Sequence, residues 1–423
     1  MIAKLFWLCV GSIGYAYAGY PVLLTLLTRL KPKPTSYPSA TPSITLLIAA
    51  HNEEAVIAQK LENSLALDYP RQQLQIIVAA DGSSDHTADI VRHYVDRGIE
   101  LSFSPPRRGK MAAINRAMQQ ARGEVVVFSD ANNMYAVDTL RELVAPFADP
   151  SVGAATGAKS ILRGDGVLGE SEGLYWKYEA FIKKQETLLG SCTGVAGEIL
   201  ALRRHLFESP PDHVINDDFY MAMRVSKRGY RVVYVPQARS YERVSLSAQD
   251  EMTRRARIVA GRYQAIALAG DLLPVQRPLL VWQVVSHKFL RPLVPLAMLG
   301  ALVTNLLSLG QAASKTGSAM LSLTPPVNWI VFIGQLLFYG AAWLGNQLED
   351  KNHKLAKVLY LPTFLVNSNL AALTGLYRFL SGGQATAWQR VNRRAESAPA
   401  IPKTTHKNGT GHHPEDSKIS AYL

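Results

Sequence analysis

The sequence contains few cysteines and few charged residues for its length. Cys9 and Cys192 are the only cysteines among 423 residues, which excludes a disulfide-stabilised scaffold, and their spacing is not that of metal ligands. Charged residues make up 18% of the chain, against about 25% in an ordinary soluble domain. Hydrophobic residues make up 48%, and the mean hydropathy is +0.02. The composition therefore excludes a mainly disordered chain and predicts membrane segments.

The acidic residues are fewer than the basic ones, and the formal net charge is +12. The basic surplus lies beside the apolar segments and in the C-terminal tail, without interleaved aromatic residues. A nucleic-acid-binding surface has a different pattern, so no nucleic-acid partner is expected.

The N-terminal segment is long and apolar enough to cross a membrane. Residues 5–28 contain no charged side chain, and a helix of that length is about 36 Å long, against about 30 Å for a bilayer core. Residues 16–18 resemble a signal-peptide cleavage site, but the apolar run continues past them and meets a basic flank at 29–33. We therefore predict an uncleaved anchor over residues 1–33, with its basic flank in the cytoplasm.

Apolar segments return after residue 272. Residues 278–290, which carry His287 and Lys288, are predicted to form an interfacial helix, and residues 291–381 to form the C-terminal membrane helices. The candidate helices there are 292–309, 327–345 and 357–380. Spanning by 357–380 would place a basic tail outside, against the positive-inside tendency, so the sequence leaves that assignment open. The basic tail over 382–423 is expected to be disordered.

Residues 40–272 have the pattern of a soluble α/β domain. Short apolar runs alternate with helical patterns, and they lie at 44–50, 74–80, 99–103 and 124–129. Runs of this kind predict βαβ crossovers and a parallel sheet that is buried on both faces.

Polar clusters follow three of these predicted strands. They lie at 51–54, 81–85 and 130–133, and each alone could be a helix cap or a turn. Ligands collect at the carboxyl ends of parallel strands, and Mg²⁺ or Mn²⁺ binds carboxylates together with the phosphates of a substrate. The basic loop at 107–110 is either exposed to solvent or complementary in charge to a bound diphosphate. The three clusters together favour a ligand site.

Five segments match a known family in the order in which that family has them. They read AADGSSDHT, RRGKMAAINRA, FSDANN, INDDFYMAMRVSKRGYRVVYVP and RRARIVAG. Over roughly residues 40–300 the chain resembles the membrane-embedded polysaccharide synthases of glycosyltransferase family 2, which make hyaluronan, chitin, cellulose and poly-N-acetylglucosamine. The resemblance implies a GT-A fold, Rossmann-like with a mainly parallel sheet, in a cytoplasmic domain flanked by transmembrane and interfacial helices. It also implies a nucleotide-sugar donor, most often a UDP-sugar, and an inverting mechanism.

The resemblance implies roles for the residues that match the family's motifs. Asp218 is implied as the catalytic base. The donor-binding residues are Asp81, Lys110, Asp130 and Arg257. Asp130 and Asn132 are implied to bind Mg²⁺ or Mn²⁺. The acceptor-site residues are Thr193, Gly194, Asp217 and Arg254. From the residues themselves, Asn216 is expected to cap a helix running through Met223, whose positive end would lower the pKa of Asp218.

Three positions depart from the family's motifs. Asn132 stands where a second aspartate is usual, which predicts weaker metal binding. Arg254 replaces a glutamine, and Ile258 replaces a tryptophan whose aromatic face stacks under the acceptor sugar. This last change favours short products over a long polymer.

The predicted function is that of a multi-pass enzyme of the inner (plasma) membrane that forms a β-glycosidic bond in a polysaccharide. One alternative is transfer of a single sugar to a lipid acceptor, and another is a non-catalytic membrane scaffold with a degenerate transferase domain. The small number of predicted spans favours a homo-oligomer or an export partner. The sequence determines neither the donor sugar nor the acceptor.

Overall fold

The computed structural model describes residues 1–30, 37–38, 40–161, 166–242, 248–312, 318–348 and 354–382. The tail predicted over 382–423 lies outside the described residues, apart from its first residue.

An eight-stranded sheet forms the centre of residues 40–272. The strands are β1 (Ile44–Ala50), β2 (Leu74–Asp81), β3 (Ile99–Ser104), β4 (Val125–Asp130), β5 (Met134–Tyr135), β6 (Val152–Ile161), β7 (Leu200–Arg203) and β8 (Arg231–Glu242). Their order across the sheet is β3-β2-β1-β4-β7-β6-β8-β5. Strands β1 to β4 pair in parallel, whereas β7 pairs antiparallel with both β4 and β6. The predicted parallel sheet is therefore confirmed, with antiparallel pairs on one side.

Helices cover the sheet and extend beyond it. They are α1 (Ile2–Arg29), α2 (Ile57–Leu65), α3 (Thr87–Arg92), α4 (Lys110–Met118), α5 (Thr139–Val144), α6 (Gly166–Leu189), α7 (Asp217–Lys227), α8 (Ala248–Ala267), α9 (Ala269–Leu272), α10 (Pro278–Ser308), α11 (Ala319–Ser322), α12 (Val327–Gln347) and α13 (Lys354–Leu380). All seven residues of β1 are buried, because apolar helical faces pack on both sides of the sheet.

Three helices among the described residues are long and apolar enough to cross a membrane. They are α1, α10 and α12, whereas α13 is not one of them. The segment predicted as a separate interfacial helix over 278–290 is continuous with the helix that follows, through a π-helical turn at Val285–Phe289. The reason is that no glycine or polar loop separates the two segments, and Pro292 and Pro295 are accommodated within the helix. Its placement at the membrane surface stays a prediction.

The apolar helices pack directly against the sheet domain. The Tyr20 hydroxyl of α1 donates to Glu186 Oε1 of α6 at 2.6 Å, and the Tyr178 hydroxyl donates to the Tyr17 carbonyl at 2.8 Å. Helix α13 lies along α8, where a side chain at Gly375 would come within 2.8 Å of the Ala256 carbonyl oxygen. The sheet domain and its apolar helices therefore form one packed structure.

Candidate active site

The carboxyl ends of β2 and β4 place two predicted site residues at one edge of the sheet. Strand β1 lies between them, with Ala50 paired to Ala80 and Ala49 paired to Asp130. Because neighbouring strands lie about 4.8 Å apart, the backbones of Asp81 and Asp130 are separated by about 10 Å. The sheet thus brings both acids to the same crevice.

Asp81 fixes the basic loop that follows β3. Its two carboxylate oxygens accept the backbone N–H groups of Arg108 and Gly109 at 2.9 and 2.7 Å. Gly82 has a φ of +56°, and a Cβ there would lie 2.6 Å from the Arg107 nitrogen. Only glycine permits this close approach of the two loops. The nucleobase contact implied for Asp81 stays a prediction.

Lys110 and Asp130 form an ion pair within the crevice. The Lys110 Nζ lies 2.7 Å from Asp130 Oδ1, and about a fifth of each side chain is exposed. Burial alone would lower the pKa of Lys110, but Asp130, Asp217 and Asp218 together raise it above its ordinary value. These four predicted site residues therefore share one electrostatic environment.

Asp218 is the second residue of α7 and accepts the Phe219 N–H at 2.7 Å. Burial raises its pKa, and the charge of Asp217 raises it further, to about 6, although the Phe219 N–H and Lys110 act in the opposite direction. The expected net lowering of this pKa is wrong, because burial and the charge of Asp217 outweigh the opposite effect of the helix N-terminus.

Asn216 precedes α7 but does not cap it with its side chain. Its Nδ2 donates to the Ile258 carbonyl of α8 at 2.9 Å, so the predicted side-chain cap is also wrong. The amide faces α8 because Gly261 has no side chain, and a Cβ at Gly261 would lie 2.6 Å from the Asn216 amide. This contact ties α8 to the helix that carries Asp218.

Helix α8 carries the two predicted arginines, Arg254 and Arg257, with Arg255 between them, and the structure gives the three side chains different surroundings. Arg255 donates to the Ser368 hydroxyl at 3.0 Å and stacks on Tyr175 and Phe364, so it joins α8 to α13. Arg254 and Arg257 are half-buried on the same helix. Arg257 immediately precedes Ile258, which places it within one residue of the contact between α8 and Asn216.

The predicted acceptor loop is buried between the sheet domain and α10. The Thr193 N–H donates to Glu186 Oε2 at 2.7 Å, and its hydroxyl lies 3.0 Å from both Glu186 oxygens and 3.1 Å from His287 Nδ1. Further along the same loop, a Cβ at Gly197 would lie 3.3 Å from the Asp218 Cβ. The loop therefore runs from the membrane-side helices to the catalytic candidate.

Two buried lysines near the crevice were missed by the sequence analysis. Lys159 lies 3.2 Å from Glu198 and pairs with Glu242 as well. Lys60 donates to the Asn133 carbonyl at 2.7 Å, and burial lowers its pKa to about 7, against the opposing effect of Asp130. Lys60 occupies an ordinary helical position in α2, and no motif distinguishes it from a surface lysine.

The loop after β4 offers oxygen atoms that fit a divalent cation. Asn132 Oδ1 is buried and has no hydrogen-bond partner within the described part of the chain, which is unfavourable unless a ligand satisfies it. Asp130 lies two residues before it. The described residues contain no group of three or more His, Cys, Asp and Glu side chains able to hold a metal alone. A cation bound here would need oxygens from a substrate, as Mg²⁺ commonly does.

Comparison with known proteins gives a consistent result. A family model described as "Glycosyltransferase like family 2" matches residues 42–261, just over half of the chain. Poly-beta-1,6-N-acetyl-D-glucosamine synthases are similar in sequence, with 27% identity over 270 residues for Staphylococcus aureus and 25% over 273 for Staphylococcus epidermidis. These alignments cover 62% of this chain and 63% of each relative, so the chain matches less than two thirds of their length.

A solved structure is similar over most of the chain. It is the mannosyltransferase PcManGT from Pyrobaculum calidifontis in complex with GDP-Man and Mn²⁺, with a TM-score of 0.67 and 22% identity. The superposition covers 91% of this chain and 100% of that one. This similarity confirms the predicted GT-A fold.

Proposed function

Since the chain belongs to glycosyltransferase family 2, we propose that it transfers a sugar from a UDP-sugar to an acceptor hydroxyl at the membrane surface, with inversion at the anomeric carbon. The product would be a β-glycoside, and repeated transfer would build a polysaccharide. The named synthase relatives support a polymeric product as the first candidate.

The observation that carries this proposal is the shared environment of Lys110, Asp130, Asp217 and Asp218. The pKa of Lys110 responds to all three acids, although they lie in segments far apart in the sequence. A group of charges assembled in this way at the carboxyl edge of an α/β sheet is typical of a ligand site.

Asp218 is proposed as the general base. A pKa of about 6 leaves its carboxylate mostly ionised at neutral pH, yet basic enough to accept a proton from an attacking hydroxyl. The acceptor oxygen forms its bond to the anomeric carbon while the bond from that carbon to the diphosphate oxygen breaks. The proton passes to a carboxylate oxygen of Asp218, and UDP leaves with the bonding electrons.

Lys110 and Arg257 are proposed to hold the leaving diphosphate. The ammonium of Lys110 is kept charged by its acidic neighbours, and a guanidinium presents paired N–H donors that suit phosphate oxygens. Asp130 and Asn132 would hold Mg²⁺ or Mn²⁺. When bound, such a cation would supply Lewis-acid stabilisation of the charge on the diphosphate.

A donor screen tests the proposal. Membranes containing the full chain would be incubated with a panel of UDP-sugars, and released UDP would be measured with and without EDTA. We expect release from at least one donor, its loss in EDTA and its recovery with Mg²⁺ or Mn²⁺. Release from none of the donors, with intact protein, would contradict the transfer activity, and full activity in EDTA would contradict the metal assignment alone.

A second candidate product is a lipid that carries one added sugar. It is favoured by Ile258, because an aliphatic side chain has no aromatic face on which a growing sugar chain could stack. Radiolabelled donor distinguishes the two products, since a polymer gives a ladder and a single addition gives one lipid-soluble species.

The sheet domain is proposed to lie in the cytoplasm, where UDP-sugars are made. The basic residues that follow α1 favour this orientation. A homo-oligomer or an export partner is part of the proposal only for a polymeric product, because three candidate spans among the described residues are few for a polymer channel.

A further inference from the structure

Two lysines from different helices flank one glycine of the acceptor loop. A Cβ at Gly194 would lie 2.9 Å from the Lys288 Nζ of α10 and 3.2 Å from the Lys183 Cγ of α6. Gly197, three residues along the same loop, packs against Asp218. The lysines therefore border the path from the membrane-side helices to the proposed base.

Lys183 is a buried cation without a carboxylate partner. Its side chain is 3% exposed, and its Nζ lies 4.4 Å from the centre of the Tyr234 ring. Among the residues that the structure describes, no carboxylate oxygen lies within 4 Å of this Nζ. Burial lowers the pKa of Lys183, and the charges of acidic groups farther away, Glu179, Glu186 and Glu198 among them, offset only part of that effect. An ammonium in this position is costly unless an anion joins it.

Lys288 lies nearby, and the surrounding carboxylates already have other partners. The Lys288 Nζ is 3.7 Å from Glu179, beyond hydrogen-bond distance, and Glu179 is hydrogen-bonded to Arg291. Glu186 accepts hydrogen bonds from Tyr20 and Thr193 and contacts His287 at 2.8 Å. Glu179 is therefore shared by Lys288, His287 and Arg291, and among the described residues neither glutamate lies within 4 Å of the Lys183 Nζ.

We propose that Lys183 and Lys288 bind a phosphoryl group carried by the acceptor, which makes the acceptor an anionic membrane lipid. The inference rests on the proposed transfer activity and favours its single-addition form. Lysine ammonium groups are suited to phosphate as point charges, and a phosphoryl group carries up to two negative charges. Lys288 lies on α10, which is long and apolar enough to cross a membrane, and 12% of its side chain is exposed.

The donor diphosphate has a different site. The cation of the donor crevice, Lys110, is paired with Asp130 and responds to Asp217 and Asp218. The acidic neighbours of Lys183 are Glu179 and Glu186 of α6 together with Glu198, which also acts on the pKa of Asp218. The lysine pair is thus an additional basic group, carried by α6 and α10 beside Gly194.

Binding of farnesyl phosphate to the full chain in detergent tests the proposal, with farnesol and inorganic phosphate as comparison probes. We expect Lys183→Met and Lys288→Gln each to weaken farnesyl phosphate binding at least about tenfold and to leave UDP binding unchanged. The matched control is Lys184→Met, which removes the same charge from the next, exposed position of α6 and should bind like the wild type. Farnesol should bind more weakly than farnesyl phosphate to the wild type.

A thermal measurement keeps the test independent of misfolding. Lys183→Met removes a buried charge, so its Tm in the absence of ligand should equal or exceed that of the wild type. Farnesyl phosphate should raise the Tm of the wild type and of Lys184→Met more than that of Lys183→Met or Lys288→Gln. The proposal is overturned if folded lysine variants bind farnesyl phosphate as the wild type does. It is also overturned if inorganic phosphate binds as tightly as the lipid phosphate.

The two proposals fail separately. A wild type that binds farnesyl phosphate through Lys183 but releases UDP from no donor refutes the transfer activity and keeps the phosphoryl site. A wild type that releases UDP, together with lysine variants of unchanged affinity, refutes the phosphoryl site and keeps the transfer activity.

Discussion

The donor crevice and the acceptor side differ in the sign of their unmatched charge. In the donor crevice three carboxylates, those of Asp130, Asp217 and Asp218, surround Lys110. On the acceptor side Lys183 has no carboxylate oxygen within 4 Å among the described residues, and Lys288 shares Glu179, at 3.7 Å, with Arg291. A surplus of acids suits a cation, and a surplus of bases suits an anion. This difference supports the proposal that the two regions bind different ligands, although one loop joins them.

The two regions are also formed by different helices and strands. The donor crevice is formed by the sheet edge and by helices of residues 40–272. The acceptor side requires α6, α10 and α1, because Glu186 contacts Tyr20, Thr193 and His287 together. Changes in the membrane helices should consequently affect acceptor use before they affect donor binding.

The largest expected effect is on the rate of sugar transfer, with ligand affinity left unchanged. Asp218→Asn removes the proposed base, and loss of a general base typically costs about 10²–10⁴-fold in rate. We expect UDP release to fall by about that factor, while the affinities for UDP and farnesyl phosphate stay near those of the wild type. Steady-state rates and equilibrium binding measure the two effects.

Asp212→Asn is the matched control, since Asp212 is an exposed aspartate before the same helix. It should leave every measured quantity unchanged. Normal turnover by folded Asp218→Asn protein would remove this residue from the role of base.

The pH dependence provides the next largest effect. Because the pKa of Asp218 is about 6, its carboxylate is protonated as the pH falls through 6, and the proposed base is lost on the acid side. The kcat/KM for donor should fall about tenfold per pH unit below 6 and level off above 7. Initial rates between pH 5 and 8 give this profile. A rate that stays constant down to pH 5 would contradict the assignment.

The smallest effect tests the link between α1 and the acceptor side. Tyr20→Phe removes the hydroxyl that donates to Glu186, which should cost about 1 kcal/mol of unfolding free energy. We expect a lower Tm and weaker farnesyl phosphate binding, with UDP affinity unchanged. Tyr377→Phe, at an exposed position of α13, is the matched control. Equal Tm values for Tyr20→Phe and wild type would show that this contact contributes little.

The sheet and the positions of its acids were predictable from the sequence for a physical reason. Strands buried on both faces are continuous apolar runs, and each predicted run corresponds to a strand from β1 to β4 within one residue. The polar residues that follow such runs must lie at the sheet edge. Asp81 and Asp130 are therefore positioned by the strand pattern alone.

The electrostatics and the acceptor side were not predictable in the same way. The pKa of Asp218 depends on burial and on Asp217 as well as on its helix, and burial is a property of the whole fold. Lys183 has the same sequence surroundings as the exposed Lys184, and the packing of Tyr234 and of the loop at Gly194 against Lys183 distinguishes them. The sequence shows no break between the two segments of α10, but the π-helical turn at Val285–Phe289 that joins them has no pattern of its own there.

The part of α10 that follows Lys288 is about as long as the hydrocarbon core of a bilayer is thick. From Lys288 to Ser308 it rises about 30 Å at 1.5 Å per residue, which equals the thickness of a hydrocarbon core. A headgroup held at Lys288 would therefore stand at one face of the bilayer while its tail runs alongside the helix. For the proposed lipid acceptor, the length of this helix would set the depth at which the headgroup is bound.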